Sequence, residues 1–383
     1  MSSRMTQRSC RVDREHLARL LDANFPIDTI DHAFAYGSAV FTQPGLYPSG
    51  AGPGAGAGAD TAMLDLIFTV SDPVAWHRLN LARNPHHYAF PMSLLGAPAI
   101  NWASEYIGCG VYFNPMVRLE TKNEQPLVVK YGVASTESVE RDLLDWNALY
   151  VAGRLHKAVE TLVEDRRIAA AQQTNLSNAL RTALCLLMLE KPDPDPDSDR
   201  YSNGHRGKSH ASRGRLYPIG TVIRTIVSLS YTGDIRVGIA EDAKKVERIV
   251  EGSWDRLVDM YTPAIAREVE RGTLVLPGSR GPSGSSGPSG SSGCHAPLAI
   301  DHDALVEIPE RDAHQSLLSR SSLPAALRQR MQADGAMTHA ALASALAATV
   351  RRSSARQAAL GLISAGPLRA ASYLRDKLSK TLS

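Results

Sequence analysis

Three short stretches carry residues whose types and spacing could act together on phosphate. Gly37-Ser38 interrupts an apolar run, with Phe34-Ala35-Tyr36 before it and Ala39-Val40-Phe41 after it. Such a turn offers backbone N–H groups and a hydroxyl. Glycine also lets the main chain approach phosphate oxygens that a side chain would obstruct. Asp65 sits in the otherwise apolar run Met63–Val70, where a carboxylate is costly to bury unless it is paired or bound to metal. Lys130 closes the run Leu127-Val128-Val129 and supplies a compact point charge suited to neutralising phosphate. Each feature has an ordinary alternative: a common turn, an edge carboxylate in a salt bridge, a strand-end lysine reaching solvent. Their weight lies in the combination of Gly37-Ser38 with the Asp65 strand. Tyr36 could stack on or bond a nucleotide, or equally belong to a core.

The elements that must position these residues follow from hydrophobic periodicity. Arg14–Ala23 reads as a short helix with Leu17, Leu20 and Leu21 on one face, ended by Pro26. His32–Tyr36 reads as a strand, and Gly37-Ser38 as a turn at a helix N-terminus. Asp72-Pro73 reads as an N-cap with proline at the first helical position, opening a helix over Val74–Asn80 that Asn84-Pro85 breaks. A second helix is expected over Ala89–Gly96, strands over Gly108–Asn114 and Leu127–Val133, and a helix over Thr136–Tyr150. A strand ending in Gly-Ser, followed by a strand bearing Asp, is similar to the layout of a polymerase-β-type nucleotidyltransferase. The expected fold is therefore α+β, with a mixed sheet and flanking helices ending near residue 160. Beyond it, Thr174–Glu190, Thr221–Tyr231 and Glu241–Val250 read as helices and Ile235–Ile239 as a short strand, an order that fits a small winged-helix-like domain over 161–277. Residues 298–383 read as mostly helical.

Three segments cannot bury enough apolar surface to order themselves and read as flexible: Pro44–Ala59, the polar stretch 192–217, and the Gly/Pro/Ser linker 278–297. The remaining hydrophobic fraction, 43%, is ample for two or three domains. With 42 basic against 39 acidic side chains, a net charge of +3 gives no support to nucleic-acid binding. The cysteines are dispersed with no CxxC pair, so a reducing compartment is the default. No run of 18 apolar residues exists, so membrane contact would be peripheral. The first 12 residues contain three arginines, three serines and no acid, a composition that suits a mitochondrial presequence or a frayed basic terminus. At the other end, Leu368, Leu374 and Leu378 share one helical face while Arg375 and Lys377 lie elsewhere on the wheel. That helix could lie on an anionic membrane surface or pack on its own domain.

The blocks FAYGSAVF, MLDLIFTVSDPVAWHRLNLARNPHHY, GCGVYFNP, VKYGV, DLLDWNALYVAGRLHK, SLSYTGDIRVGIAEDAKKVERIV and VRRSSARQAALGLISAG, in that order, resemble the mitochondrial translocator assembly and maintenance protein family. Its members are mitochondrial CDP-diacylglycerol synthases, also called phosphatidate cytidylyltransferases. The resemblance runs from about residue 30 to 367. It implies CTP and phosphatidate as substrates, CDP-diacylglycerol and pyrophosphate as products, and a divalent metal, usually Mg²⁺. It further implies a peripheral location on the matrix face of the inner mitochondrial membrane, on the route to phosphatidylglycerol and cardiolipin. A homo-oligomer is compatible with this reading. The Asp-x-Asp pair usual in the nucleotidyltransferase superfamily is absent, because Ile67 stands two residues after Asp65. A second metal ligand must then come from elsewhere, and Asp72 and Asp142 are candidates. Asp72 has an alternative role as an N-cap and Asp142 as a solvated helix residue. Arg154 and His156, in AGRLHK, could meet the lipid phosphate or be surface charges. Two other functions stay open on sequence: nucleotidyl transfer to RNA or protein, and a non-catalytic membrane-associated role in assembling the protein-import machinery.

Overall fold

The computed structural model describes residues 14–41, 63–120, 127–190, 215–236, 244–276, 304–309, 317, 319, 322–331 and 337–381, with side chains of the last helix described to residue 364. The expected Pro44–Ala59 loop, the Gly/Pro/Ser linker, the N-terminal 13 residues and nearly all of 192–217 lie outside these.

A five-stranded mixed sheet carries the site. Its strands are β1 (His32–Tyr36), β2 (Leu64–Val70), β3 (Val111–Leu119), β4 (Leu127–Ser135) and β5 (Glu160–Val163), in the order β3-β4-β2-β1-β5. β2 and β4 are parallel; the other neighbours are antiparallel. Side chains alternate between the two faces of the sheet, and both faces are covered. On one face Leu64, Leu66, Phe68, Val129, Tyr131 and Val133 pack with Leu17, Leu20 and Leu21 of α1 (Arg14–Asn24) and with Trp76 of α2 (Pro73–Arg83). On the other, Phe34, Ile67 and Phe113 pack beneath α4 (Thr136–Asp145), α5 (Val151–Leu155) and α6 (Arg166–Leu189). The apolar runs of β2 and β4 thus reflect burial on both sides.

Beside the first face, the stretch Asn84–Tyr88 and α3 (Met92–Trp102) lie against β3. Gly96 kinks α3 with φ 80°, and a single π-turn over Ala103–Ile107 follows. The expected helix over Ala89–Gly96 is therefore displaced toward its C-terminal end. Tyr131 and Tyr88 share Asn80 Nδ2 as hydrogen-bond donor, and His77 and His87 bond the same two hydroxyls. Each buried polar group of this knot finds a partner where water cannot reach it.

The remaining helices are α7 (Ile219–Ser228), α8 (Lys245–Gly252), α9 (Trp254–Glu270), α10 (Ala325–Met331) and α11 (His339–Thr381). They share one core with α4–α6. A two-stranded ribbon pairs β6 (Arg215–Pro218) with β7 (Leu305–Ile308). Residues 215–217, expected to be part of a flexible insertion, are thus strand, and the C-terminal part contributes a strand as well as helices. Ile235 and Arg236, expected to begin a strand, form a turn instead, and 237–239 lie outside the described residues.

The turn from α4 to α5 is the tightest device in the fold. α4 stops at Asp145, short of the expected Tyr150, because Trp146 (φ 59°) and Leu149 (φ 52°) adopt the left-handed conformation. Neither is glycine, so the turn is strained. Asp142 holds it. Its carboxylate, 7% exposed, accepts the backbone N–H groups of Ala148, Leu149, Tyr150, Val151 and Ala152 at 2.8–3.1 Å. Asp142→Ala leaves these donors without their acceptor and is expected to cost on the order of 3 kcal/mol. Urea unfolding would measure it, and a parent-like midpoint would show that the clamp contributes nothing.

Candidate active site

β-sheet register brings the first three sequence candidates together. Tyr36 is the antiparallel partner of Asp65, and Asp65 is the parallel partner of Lys130. All three side chains therefore project from the α4–α6 face, side by side across three strands. Asp65 and Lys130 are partly open, at 27% and 22% exposure, with Lys130 Nζ 3.8 Å from Asp65 Oδ1. The ammonium also sits 4.5 Å from the centre of the Phe113 ring, which holds it over the sheet.

Gly37 follows directly. Its φ is 89°, and a Cβ placed on it would come 3.3 Å from Asp65 Oδ2. Glycine is needed here for the backbone conformation and for clearance beside the carboxylate. The N–H groups of Val40 and Phe41 both donate to the Gly37 carbonyl, at 3.1 and 3.0 Å. The Gly-Ser element is thus a single tight turn, and the expected helix start is not found among the described residues. Ser38 is half-buried within that turn.

Arg154 of α5 reaches the same place from above the sheet. Its guanidinium stacks 3.8 Å from the Tyr150 ring and 5.6 Å from that of Tyr36, and its Nη1 donates to the Tyr150 carbonyl at 2.8 Å. Burial opposes the guanidinium charge, but Tyr150, Tyr36 and Asp65 outweigh it and raise its pKa. Burial, and then the nearby Asp65, push the Tyr36 hydroxyl's pKa up, so it stays protonated. The Tyr36 hydroxyl and Arg154 Nε are both buried without a hydrogen-bond partner of good geometry. These two buried donors interact with each other and stand beside the partly open Asp65–Lys130 pair, which concentrates positive and donor groups at one place on the sheet.

The other candidates lie elsewhere, for identifiable reasons. Asp72 caps α2 by accepting the Ala75 N–H at 3.0 Å. It follows the far end of β2, seven residues beyond Asp65, or roughly 20 Å along an extended chain. Asp142, expected as a ligand or a solvated helix residue, is the buried clamp described above. The structure gives both carboxylates other partners: a helix cap for Asp72 and the turn amides for Asp142. His156 is fully buried, with Nε2 3.1 Å from Asn175 Oδ1, and the same oxygen accepts Trp146 Nε1 at 2.8 Å. It is a core imidazole, turned toward Asn175. Leu368, Leu374, Arg375, Lys377 and Leu378 fall on the α11 backbone, with side chains outside the described residues.

Sequence reasoning missed Tyr150, Phe113 and Arg236. Arg236 pairs with the buried Asp234, Nη2 to Oδ2 at 2.6 Å, and is electrostatically coupled to Tyr150. Its only sequence signal was its place in the block SLSYTGDIRVGIAEDAKKVERIV. Among the described residues no three His, Cys, Asp or Glu side chains come together. A cation at Asp65 would have one carboxylate and would complete its shell with substrate oxygens. That suits Mg²⁺, a hard ion that binds one or two carboxylates plus phosphates, and the clearance at Gly37 leaves Oδ2 unobstructed.

The sequence is similar to known proteins of one family. The sequence model of a family described as "Phosphatidate cytidylyltransferase, mitochondrial" matches residues 17–193 and 220–380. A curated protein of that name from Mus musculus is 34% identical over 95% of this chain and 94% of its own length. One from Drosophila melanogaster is 30% identical over 96% and 99%, and one from Schizosaccharomyces pombe is 35% identical over 67% and 54%. The chain belongs to the mitochondrial phosphatidate cytidylyltransferase family.

Two measurements test the site's construction. Gly37→Ala combines a strained φ with contact on Asp65, and is expected to cost about 1 kcal/mol in stability. If its unfolding midpoint matches the parent's, the clearance argument is wrong. His156 is held neutral by burial, its pKa lowered to about 3. Because that value lies below the unfolded one, its contribution is present above about pH 6.5 and is lost as pH falls toward 3. His156→Gln should therefore lose about 2 kcal/mol less stability than the parent between pH 7 and pH 5. Equal losses would show that His156 titrates normally.

Proposed function

We infer that the protein is a phosphatidate cytidylyltransferase, joining CTP and phosphatidate to give CDP-diacylglycerol and pyrophosphate. The observation that carries the reading is the in-register trio Tyr36, Asp65 and Lys130 beside the Gly37 turn, in a chain of this family. A phosphate oxygen of phosphatidate attacks the α-phosphorus of CTP. A new P–O bond forms, the bond to the β-phosphate oxygen breaks, and pyrophosphate leaves. An anion attacks a polyanion, so neutralisation and positioning dominate catalysis. In this reading Gly37-Ser38 receives the triphosphate, Lys130 offsets its charge, and Tyr36 and Arg154 supply donors to phosphate oxygens. Asp65 would hold Mg²⁺, which when bound neutralises charge at the reacting phosphates.

Finer assignments accompany this reading. The mixed sheet with its Gly-Ser turn and Asp65 strand supports a polymerase-β-type nucleotidyltransferase domain. We assign the helices after α5, with the β6–β7 ribbon, to a winged-helix-like unit. Among the described residues no helix is long and apolar enough to cross a membrane. The relatives' names say mitochondrial, and we place the protein peripherally on the matrix face of the inner membrane, with the amphipathic end of α11 on anionic lipid.

The assay is conversion of CTP and phosphatidate with Mg²⁺. Asp65→Ala is expected to lower turnover about a thousandfold, and Lys130→Ala about a hundredfold, with folding unchanged. Full activity in Asp65→Ala would remove the site assignment.

A further inference from the structure

We propose that the segment from Phe90 to Tyr106 is a membrane-docking surface that rests on anionic lipid. The inference depends on the reading of the substrate as a membrane lipid, and it concerns a face distinct from the Asp65 site.

Residues 84–104 contain no Asp, Glu, Lys or Arg. Half of this stretch is buried: Tyr88, Met92, Ile100 and Ala103 form a small core with Tyr112 and with Leu360 of α11. The other half faces outward. Of the twelve large apolar side chains exposed among the described residues, four lie here, Phe90, Leu94, Leu95 and Trp102, and a fifth, Tyr106, follows just beyond Glu105. Leu94 is 77% exposed and Tyr106 70%. The rings of Trp102 and Tyr106 stack on each other at 5.7 Å. Scattered exposed leucines are ordinary, but a concentration on one segment whose single charged residue is Glu105 marks an interaction surface.

Charge identifies the occupant. The apolar surface ends at Tyr106, and there arginines begin. Arg356 donates to the carbonyls of Glu105, Tyr106 and Ile107, fixing the π-turn to α11. Arg141, Arg330 and Arg352 line the cleft beside Glu105 and Gly108–Gly110. The acids of that cleft are Asp142, engaged by its five amides, and Glu105, whose pKa burial raises against the opposing fields of Arg141 and Arg356. An apolar face edged by aromatic rings and then by arginines matches the order of acyl chain, interface and anionic headgroup. The face is also continuous with α11, whose Leu360 and Ile363 pack behind it before the helix runs on into its basic C-terminal turns.

The test uses the full chain and vesicles of phosphatidylcholine with or without phosphatidylglycerol. Leu94→Ser/Leu95→Ser/Trp102→Ser is expected to bind the anionic vesicles about tenfold more weakly than the parent. Tryptophan fluorescence of the parent should be quenched by lipid brominated on its acyl chains, and Trp102→Phe should lose that quenching. Activity on detergent-dispersed phosphatidate should be the same in the triple variant and the parent, which shows that the variant folds. An inactive parent on dispersed substrate would instead count against the reaction, leaving the vesicle result to speak for the surface. Equal vesicle binding with no Trp102-dependent quenching overturns the proposal. So does loss of a parental dimer with vesicle binding unchanged, which would assign the face to a second copy.

Discussion

The carboxylate of Asp142 is the constraint on which the site depends. A helix ending in two left-handed non-glycine residues has no intrinsic reason to persist, since each such residue costs about 1–2 kcal/mol. Five N–H groups converging on one buried carboxylate offset that cost. The result is a chain reversal in which α5 begins within a few residues of the end of α4. That reversal places Tyr150 and Arg154 over the sheet, where Arg154 meets Tyr36 and the field of Asp65. An acidic residue with no contact to the reacting atoms thereby determines where a cationic one stands.

Below this lid, the sheet does the rest. Its two faces differ in purpose. One is packed, with Tyr131 and Tyr88 tied through Asn80 and two histidines. The other is sealed over Ile67 and Phe34 but partly open at Asp65 and Lys130, beside Tyr36. Those two charged side chains escape the penalty they would meet one pair of residues further along. Asp65 is thus tolerable in an apolar strand because it stands at the margin of the core.

Much of this was legible in the sequence. The strand His32–Tyr36 and the Asp72-Pro73 cap were readable because their signals are local: an apolar run, a turn residue, a capping carboxylate. The α4 boundary was not, because Trp146 and Leu149 look like the next positions of an amphipathic helix. Their conformation comes from Asp142, not from their own preferences. For the same reason Asp142 read as a metal candidate, since an aspartate in a helix does not announce five amides from the following turn. β5 was overlooked because Glu160–Val163 is short and half-buried along its length. The β6–β7 pairing joins segments far apart in the chain, which no local pattern encodes. His156 looked polar beside Arg154 and Lys157, yet helical geometry turns it inward to Asn175 while its neighbours face other ways.

The parallel pairing of β2 with β4 has a consequence for how this protein can vary. Asp65 and Lys130 are neighbours by hydrogen-bond register, so their separation is a property of the sheet's repeat. The segments joining β1 to β2 and β3 to β4 have no part in setting it. Doubling the length of such a connection costs only about 0.6 kcal/mol in closure entropy. The Gly/Ala-rich run between β1 and β2 can therefore grow, shrink or change composition while the acid and the lysine keep their spacing. The chemistry is insulated from the part of the chain most free to drift.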